Sequence, residues 1–121
     1  MSNMGWTVTL DEAFDPEFEA LSKAVQDALI AAALVLQEFG PRLGRPHVDT
    51  LAGSKHPNMK ELRFNSDDGV WRVAFAFDPE RKGILLVAGD KAGVAQKLFY
   101  KALIAKADKR FAAHLKRLKG K

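Results

Sequence analysis

The hydrophobic pattern opens with a short strand followed by a helical region. Residues 6–10 alternate between apolar and polar side chains, which is the period of a half-buried strand. From residue 15 to residue 39 the apolar positions recur at helical spacing, with a break expected near Ser22. Gly40 and Pro41 then end the helix, because glycine suits a helix C-terminus and proline cannot continue the helix.

The middle of the chain predicts a loop and three antiparallel strands. Residues 41–58 are rich in proline and basic residues and favour a loop. Strands are expected at 59–65, 70–77 and 84–88, separated by short turn sequences. Connections this short cannot make parallel crossovers, so the three strands should form an antiparallel meander. The third strand is apolar throughout, which favours an interior place in the sheet.

A last helix completes the pattern, because apolar residues return to helical spacing from residue 92 to the end. No linker, internal repeat or low-complexity segment interrupts the chain. We therefore predict one domain over residues 1–121. Its expected class is α+β, with an N-terminal strand and helices packed on an antiparallel sheet and a further helix at the C-terminus.

The composition favours a folded, cytoplasmic protein. Hydrophobic residues make up 47% and charged residues 28% of the chain, as in ordinary globular domains. The absence of cysteine excludes disulfides and thiolate metal sites and favours a reducing compartment. No signal-peptide pattern opens the sequence, and its longest apolar run, residues 28–36, is about half of the roughly 20 residues that span a bilayer. We therefore expect no membrane association.

Charge is distributed unevenly along the chain. Residues 1–39 hold seven acidic residues and one basic residue, whereas residues 40–121 hold eighteen basic and eight acidic residues. A molecule polarised in this way favours binding of its basic part to a polyanion such as nucleic acid. The alternative interpretation is that these charges only solvate the outer faces of the fold.

Three cations of the predicted sheet are candidates for one anion site. Arg72 should lie on the strand face opposite Trp71, Val73 and Phe75, and Arg63 shares a strand face with Glu61. Lys91 follows the third strand directly, and Lys55 and Lys60 are near in sequence. Arginine matches two phosphate oxygens and lysine adds a compact charge, so these residues favour phosphate binding. Solvated side chains, or an ion pair of Glu61 with Arg63, are the simpler alternatives.

Other catalytic motifs find little support. His47, His56 and His114 lack the paired spacing of metal ligands, and we expect them to be surface residues. The sequence contains neither a Gly-x-Ser-x-Gly nucleophile elbow nor a glycine-rich phosphate loop. We therefore expect no metal and no cofactor. The remaining acid or base candidates are His56, Glu61, Lys55, Lys60, Lys91 and Tyr100.

Several segments, taken in order, carry a resemblance to a known family. Leu43 to Leu51 (LGRPHVDTL) leads through Gly53-Ser54-Lys55 to Lys60-Glu61-Leu62-Arg63, followed by Trp71 to Asp78 (WRVAFAFD) and by Gly89-Asp90-Lys91. Together these segments resemble the phage-derived, HigB-like branch of the RelE/ParE toxin superfamily. The resemblance extends from Trp6 to Leu115.

The resemblance implies a RelE-like fold and the toxin of a type II toxin–antitoxin pair. Such toxins cut messenger RNA on the ribosome without a metal, by attack of a ribose 2′-OH on the adjacent phosphate. The products are a 2′,3′-cyclic phosphate and a free 5′-OH. The implied partners are the ribosome, its mRNA and a cognate antitoxin, often a helix-turn-helix protein.

Site residues follow from the resemblance position by position. The arginine of the Trp-Arg-Val strand corresponds to Arg72, the Glu-Leu-Arg strand supplies Glu61 and Arg63, and the basic residue after the third strand is Lys91. Tyr100 is the only tyrosine available for the following helix. Arg72 and Arg63 are expected to clamp the phosphate. Lys91 is expected to stabilise the leaving group or act as an acid, and Glu61, Lys60 or Lys55 to act as base. The residues expected to contact RNA are Lys55, Arg45, Arg42 and Lys97.

Two other functions share this fold. A ParE-like protein would inhibit DNA gyrase by binding, without hydrolysis, and a degenerate prophage protein would only bind its antitoxin. The presence of Arg63, Arg72 and Lys91 favours the nuclease, because a gyrase inhibitor needs no phosphate clamp on its sheet.

Overall fold

A computed structural model describes residues 5–120 and contains a five-stranded sheet between two helical layers. The elements follow one another as β1 (Thr7–Leu10), α1 (Asp15–Glu19), α2 (Lys23–Phe39), a short 3₁₀ helix (Gly40–Arg42), β2 (Val48–Thr50), β3 (Lys60–Ser66), β4 (Gly69–Phe77), β5 (Lys82–Asp90) and α3 (Gln96–Lys119). The strand order across the sheet is β1-β5-β4-β3-β2. The predicted meander is confirmed, since β3, β4 and β5 are successive antiparallel neighbours.

The first strand takes a place that local patterns do not specify. β1 pairs in parallel with β5, so β5 lies in the interior of the sheet, as its apolar sequence predicted. The loop predicted for residues 41–58 is wrong in part, because it contains the 3₁₀ helix and strand β2. Three residues of β2 give too short a run for an alternating pattern to be recognised.

The predicted break near Ser22 separates the first two helices. Ser22 is the N-cap of α2, where its hydroxyl accepts a hydrogen bond from the amide of Val25. At the other end Gly40 has a φ of 60°, and a Cβ there would lie 2.2 Å from the indole nitrogen of Trp6. Glycine is therefore required at this turn both by the backbone and by the packed ring.

Two hydrophobic layers flank the sheet. On one side, α2 contributes Leu29 and Leu36 to a core with Phe14, Val48, Leu62, Val73, Phe75 and Leu85. On the other side, α3 contributes Phe99, Leu103, Ala107 and Phe111 to a core with Leu51, Met59, Ala74, Ala76, Ile84, Leu86 and Val87. Both sheet faces are thus buried, and any polar group that points to α3 lies under a helix. Across residues 5–120, no helix is both long and apolar enough to cross a membrane.

Candidate anion-binding site

A charged cluster interrupts the apolar layer between the sheet and α3. Arg63 of β3 lies directly opposite Arg72 of β4, so the two side chains leave the same face of the sheet. Glu61 lies two residues before Arg63 and therefore shares that face. The sequence predicted that Glu61 shares a strand face with Arg63 and that Arg63 and Arg72 converge, and the strand register places all three residues on one face.

Glu61 and Arg72 form the buried base of the cluster. Glu61 Oε1 lies 3.6 Å from Arg72 Nε, and both side chains are almost fully buried. Arg72 donates one hydrogen bond from Nη1 to the carbonyl of Trp71, at 2.9 Å. Its Nε is buried without a hydrogen-bond partner among the described residues. This guanidinium therefore keeps one hydrogen-bond donor without an acceptor beneath the surface.

Arg63 forms the outer part of the same cluster. Its Nε lies 3.8 Å from Glu61 Oε2, and its side chain is 30% exposed, against 7% for Arg72. The carboxylate therefore stands between two guanidinium groups, one buried and one open to solvent. Because Glu61 engages Arg63 only at ion-pair distance, the hydrogen-bonding groups of Arg63 are left for another anion.

Tyr100 brings helix α3 into the cluster. Its hydroxyl donates a hydrogen bond to Glu61 Oε1 at 2.8 Å. Burial raises the pKa of Tyr100 above its usual value, the hydrogen bond to Glu61 raises it further, and Arg72 opposes this rise. The phenol consequently remains protonated and keeps its role as a donor to the carboxylate.

Lys91 approaches the cluster from the connection between β5 and α3. Its backbone amide donates to the carbonyl of Val70, and its ammonium lies 5.6 Å from the ring centroid of Tyr100. Partial burial lowers the pKa of Lys91, and Arg72 and Arg63 lower it further, whereas Glu61 raises it. Lys91 is thus a lysine whose proton is more easily given up than usual.

The remaining predicted catalytic residue lies elsewhere. Lys60 shares its strand face with Leu62, which packs in the α2 core, so it is on the side of the sheet opposite Glu61. The strand register gives no route from Lys60 to the cluster.

The four basic residues expected to contact RNA are scattered. Arg45 pairs with Asp49 at 2.9 Å, and Asp49 lies beside Glu61 in the β2–β3 register, so this pair borders the cluster. Lys97 is exposed in the first turn of α3, one turn before Tyr100. Lys55 is exposed in a loop, and its backbone amide donates a hydrogen bond to Asp108 of α3. Arg42 lines a cavity with Trp6 and residues of α2, and is not part of the cluster.

Sequence patterns did not indicate several polar contacts that hold α3 to the rest of the fold. His114, expected to be a surface residue, lies mostly buried with its Nε2 2.8 Å from Asp78 Oδ2. Arg110 binds Glu17 at 2.6 Å and the carbonyl of Leu86 at 2.7 Å. These partners are far apart in sequence, so no local spacing could have paired them. In the described part of the chain, no group of three or more His, Asp or Glu side chains is placed to hold a metal.

The architecture, an α+β fold with a largely antiparallel sheet between helices, is that of the RelE toxins. A free-state structure of an Escherichia coli RelE variant with two arginines replaced by alanine superimposes with a TM-score of 0.60, over 85% of this chain and 97% of that one. The identity is 18%, so this similarity establishes the fold. The RelE-like α+β fold predicted from the sequence is thereby confirmed.

Sequence relationships then place the chain in a family. Residues 16–112 match the family described as "Phage derived protein Gp49-like". The chain is also 44% identical over 114 residues to "Putative toxin HigB2" of Mycobacterium tuberculosis, covering 93% of this chain and 56% of that protein. It is 46% identical over 76 residues to "Putative toxin HigB3" of the same organism, covering 63% of this chain and 65% of that protein. This chain belongs to the phage-derived Gp49-like family, as its motifs predicted, and spans less than two thirds of the length of either relative.

Proposed function

We propose that the chain is one toxin domain of a type II toxin–antitoxin system and acts as an mRNA endoribonuclease on the ribosome. The observation that carries the proposal is the pairing of Arg63 and Arg72 with the carboxylate of Glu61, with Lys91 beside the Tyr100 ring whose hydroxyl donates to the same carboxylate. Three cations for one anion leave a net positive site beside α3. A phosphodiester is the anion that such a site fits.

The two partly exposed cations are the ones to contact the phosphate. Arg63 opens to solvent and offers a planar pair of donors, while Lys91 supplies a compact charge from the β5–α3 connection. Arg72 lies beneath them with an uncommitted Nε, and its charge stabilises the negative charge that develops on the phosphorane. This division refines the expectation that Arg63 and Arg72 both clamp the phosphate.

The hydrogen bond from Tyr100 to Glu61 supplies a route for the nucleophile's proton. As the ribose 2′-oxygen bonds to phosphorus, its proton passes to the Tyr100 hydroxyl, and the phenolic proton passes to Glu61. The phosphorus–O5′ bond breaks as Lys91 gives a proton to the leaving oxygen. Solvent then takes the proton from Glu61 and returns one to Lys91. The step yields a 2′,3′-cyclic phosphate and a 5′-OH using only side chains of this chain.

The toxin assignment draws on the two relatives, both of which are named as toxins. A toxin of this class needs a cognate antitoxin, for which a small helix-turn-helix protein encoded beside it is the expected candidate. Because the proposed substrate is mRNA on the ribosome, we propose that the protein acts in the cytoplasm.

Induced expression followed by mapping of transcript 5′ ends tests the proposal. We expect growth arrest together with new 5′-OH ends at codon-phased positions, and loss of both effects in Arg63→Ala. Intact transcripts with a DNA-damage response would overturn the proposal in favour of gyrase inhibition. Normal growth with intact transcripts, from folded protein, would leave only antitoxin binding.

A further inference from the structure

One edge of the sheet is left without a neighbouring strand beside α3. β1 pairs with β5 only over Lys82–Leu85, whereas β5 continues to Asp90. Among residues 5–120, no strand pairs with this edge of β5 beyond Leu85, and the open part begins after Leu86, whose carbonyl accepts a hydrogen bond from Arg110. An unpaired strand edge presents a row of backbone donors and acceptors, and in natural proteins such an edge is usually blocked or used.

The backbone of Ala88 faces that open edge. The amide of Lys91 donates to the carbonyl of Val70, and Gly89 lies opposite Arg72, which places Gly89 and Val87 at the positions bonded to β4. Alternation then turns the amide and carbonyl of Ala88 outward, and this residue is partly exposed. The strand is therefore able to accept one more strand at this point.

An apolar groove runs along the same edge. A cavity of about 280 Å³ lies between the end of β5 and α3, where its walls include Val94, Leu98 and Ala102. Val94 is 46% and Leu98 66% exposed, so two large apolar side chains lie together in contact with solvent along this groove. Ala102 and Lys106 also line a second cavity of about 640 Å³ that continues along α3.

The rim of this groove is basic. Lys106 and Lys109 are exposed on α3 and line the continuing cavity. The carboxylates nearby are engaged already, since Glu17 binds Arg110, and Asp11 binds Arg117 at 2.9 Å. No salt bridge among the described residues engages Lys106 or Lys109, although Lys106 helps lower the pKa of Glu17 after the larger influence of Arg110. The rim therefore complements an acidic occupant.

We propose that the open edge of β5 and this groove bind an extended, acidic and apolar segment of a partner protein as an added strand. Its backbone pairs with Ala88, its apolar side chains pack on Val94 and Leu98, and its carboxylates meet Lys106 and Lys109. The inference rests on the proposed function in one respect: for a toxin, the cognate antitoxin is the natural source of the segment. The site itself is separate from the cluster around Glu61.

Titration of the full chain with two synthetic peptides tests the proposal. One is a nine-residue peptide of alternating glutamate and valine, and the other replaces each glutamate by lysine. We expect the acidic peptide to bind and to slow amide hydrogen exchange at Ala88, and the basic peptide to do neither. Leu98→Asp should weaken binding by roughly tenfold or more, because a leucine contact is lost and a repelling charge is added. Leu34→Asp is the matched control, since Leu34 is 57% exposed on α2 and should leave binding unchanged.

A charge-reversal variant controls for nonspecific electrostatic attraction between the peptide and the protein. The double variant Lys106→Glu, Lys109→Glu should lose the acidic peptide and gain the basic one, with protection still at Ala88. Equal binding of both peptides to the parent protein would overturn the proposal. So would protection of Ala88 by a single-stranded RNA that displaces the acidic peptide, or by self-association of the chain at rising concentration. Since no RNA cleavage enters this assay, its failure is distinct from failure of the nuclease function.

Discussion

Tyr100 donates a 2.8 Å hydrogen bond to Glu61, a residue 39 positions earlier in the sequence. This contact makes α3 part of the charged cluster as well as one wall of the hydrophobic core. With Tyr100 included, the cluster contains a protonated phenol, one carboxylate and three cations. These groups can donate and accept the protons that move during cleavage at a phosphate.

Replacement of Tyr100 by phenylalanine removes the hydroxyl and keeps the ring. If the phenol relays the proton from the 2′-OH, cleavage should fall by about 10²-fold while affinity for the ribosome changes little. The free energy of unfolding should fall by only about 1 kcal/mol, the usual effect of one lost hydrogen bond. Single-turnover cleavage, ribosome binding and urea denaturation measure the three quantities. Cleavage within about threefold of the parent would remove the relay from the proposal.

Replacing Arg63 and replacing Arg72 should reduce activity alike but should lower the free energy of unfolding by different amounts. Alanine at either position should reduce cleavage by about 10²-fold or more, because each stabilises charge on the phosphate. Arg72→Ala should also cost about 3 kcal/mol of unfolding free energy, since Glu61 would lose its buried counter-ion, whereas Arg63→Ala should cost less than about 1 kcal/mol.

Arg81→Ala provides the control for this pair. Arg81 is exposed in the β4–β5 turn, where its guanidinium lies 4.5 Å from the ring centroid of Trp6. Its replacement removes the same charge from the protein without touching the cluster, so cleavage should remain at the parental level. An equal loss in Arg81→Ala would mean that net charge, and not the cluster, governs activity.

The pKa of Lys91 should respond in opposite directions to its neighbours. Burial and the two guanidinium groups lower it, whereas Glu61 raises it. Arg63→Gln should therefore raise the pKa of Lys91, and Glu61→Gln should lower it further. Because the proposed acid must be protonated, cleavage by the parent should fall as pH rises through a pKa below that of an ordinary lysine. NMR titration of the Lys91 side chain gives the value, and an unshifted pKa would contradict the proposed environment.

Asp78 should contribute a pH-dependent part of the stability. Burial, its largest single influence, would raise the pKa of Asp78, but hydrogen bonds from His114 and from the amides of Lys82 and Glu80 outweigh burial and lower it. A depressed carboxyl pKa stabilises the fold above the unfolded value of about 3.9 and loses this effect as pH falls through the folded pKa.

Asp78→Asn should therefore lower the free energy of unfolding by about 1.5–3 kcal/mol at pH 7, since a hydrogen-bonded charge is lost. The difference between parent and variant should shrink in acid, below about pH 4. Urea denaturation across this range measures it, with the exposed Asp68→Asn as a matched control. A difference that stays constant from neutral to acid pH would show that the carboxylate charge is not what stabilises the turn.

Sequence patterns predicted the antiparallel meander, the shared face of Glu61 and Arg63, and the convergence of Arg63 with Arg72. The first two follow from local rules, since short turns allow only antiparallel neighbours and side chains alternate along a strand. The same alternation excludes Lys60 from the cluster, although its position in the sequence beside Glu61 made it a candidate. Proximity along a strand is a poor guide to a site because adjacent residues face opposite sides.

The contacts that close the fold could not be predicted in this way. The parallel pairing of β1 with β5, and the His114–Asp78 pair, join segments far apart in sequence. The apolar side chains of β1 pack in the core beneath α2, whereas the His114–Asp78 pair depends on packing of α3, and the periodicity within a segment shows neither contact. The burial of Arg72 could not be predicted either. The strand pattern shows on which face of the sheet Arg72 lies, but it does not show that α3 covers that face.

The place of Tyr100 on the last helix has a consequence for synthesis. A ribosome making this protein completes Glu61, Arg63, Arg72 and Lys91 before it completes the helix that carries the phenol. Strand β1 is likewise synthesised before β5, the strand with which it pairs. A nascent chain halted before α3 would carry the cations without the hydroxyl that gives a proton to Glu61, so the proposed activity requires synthesis of α3.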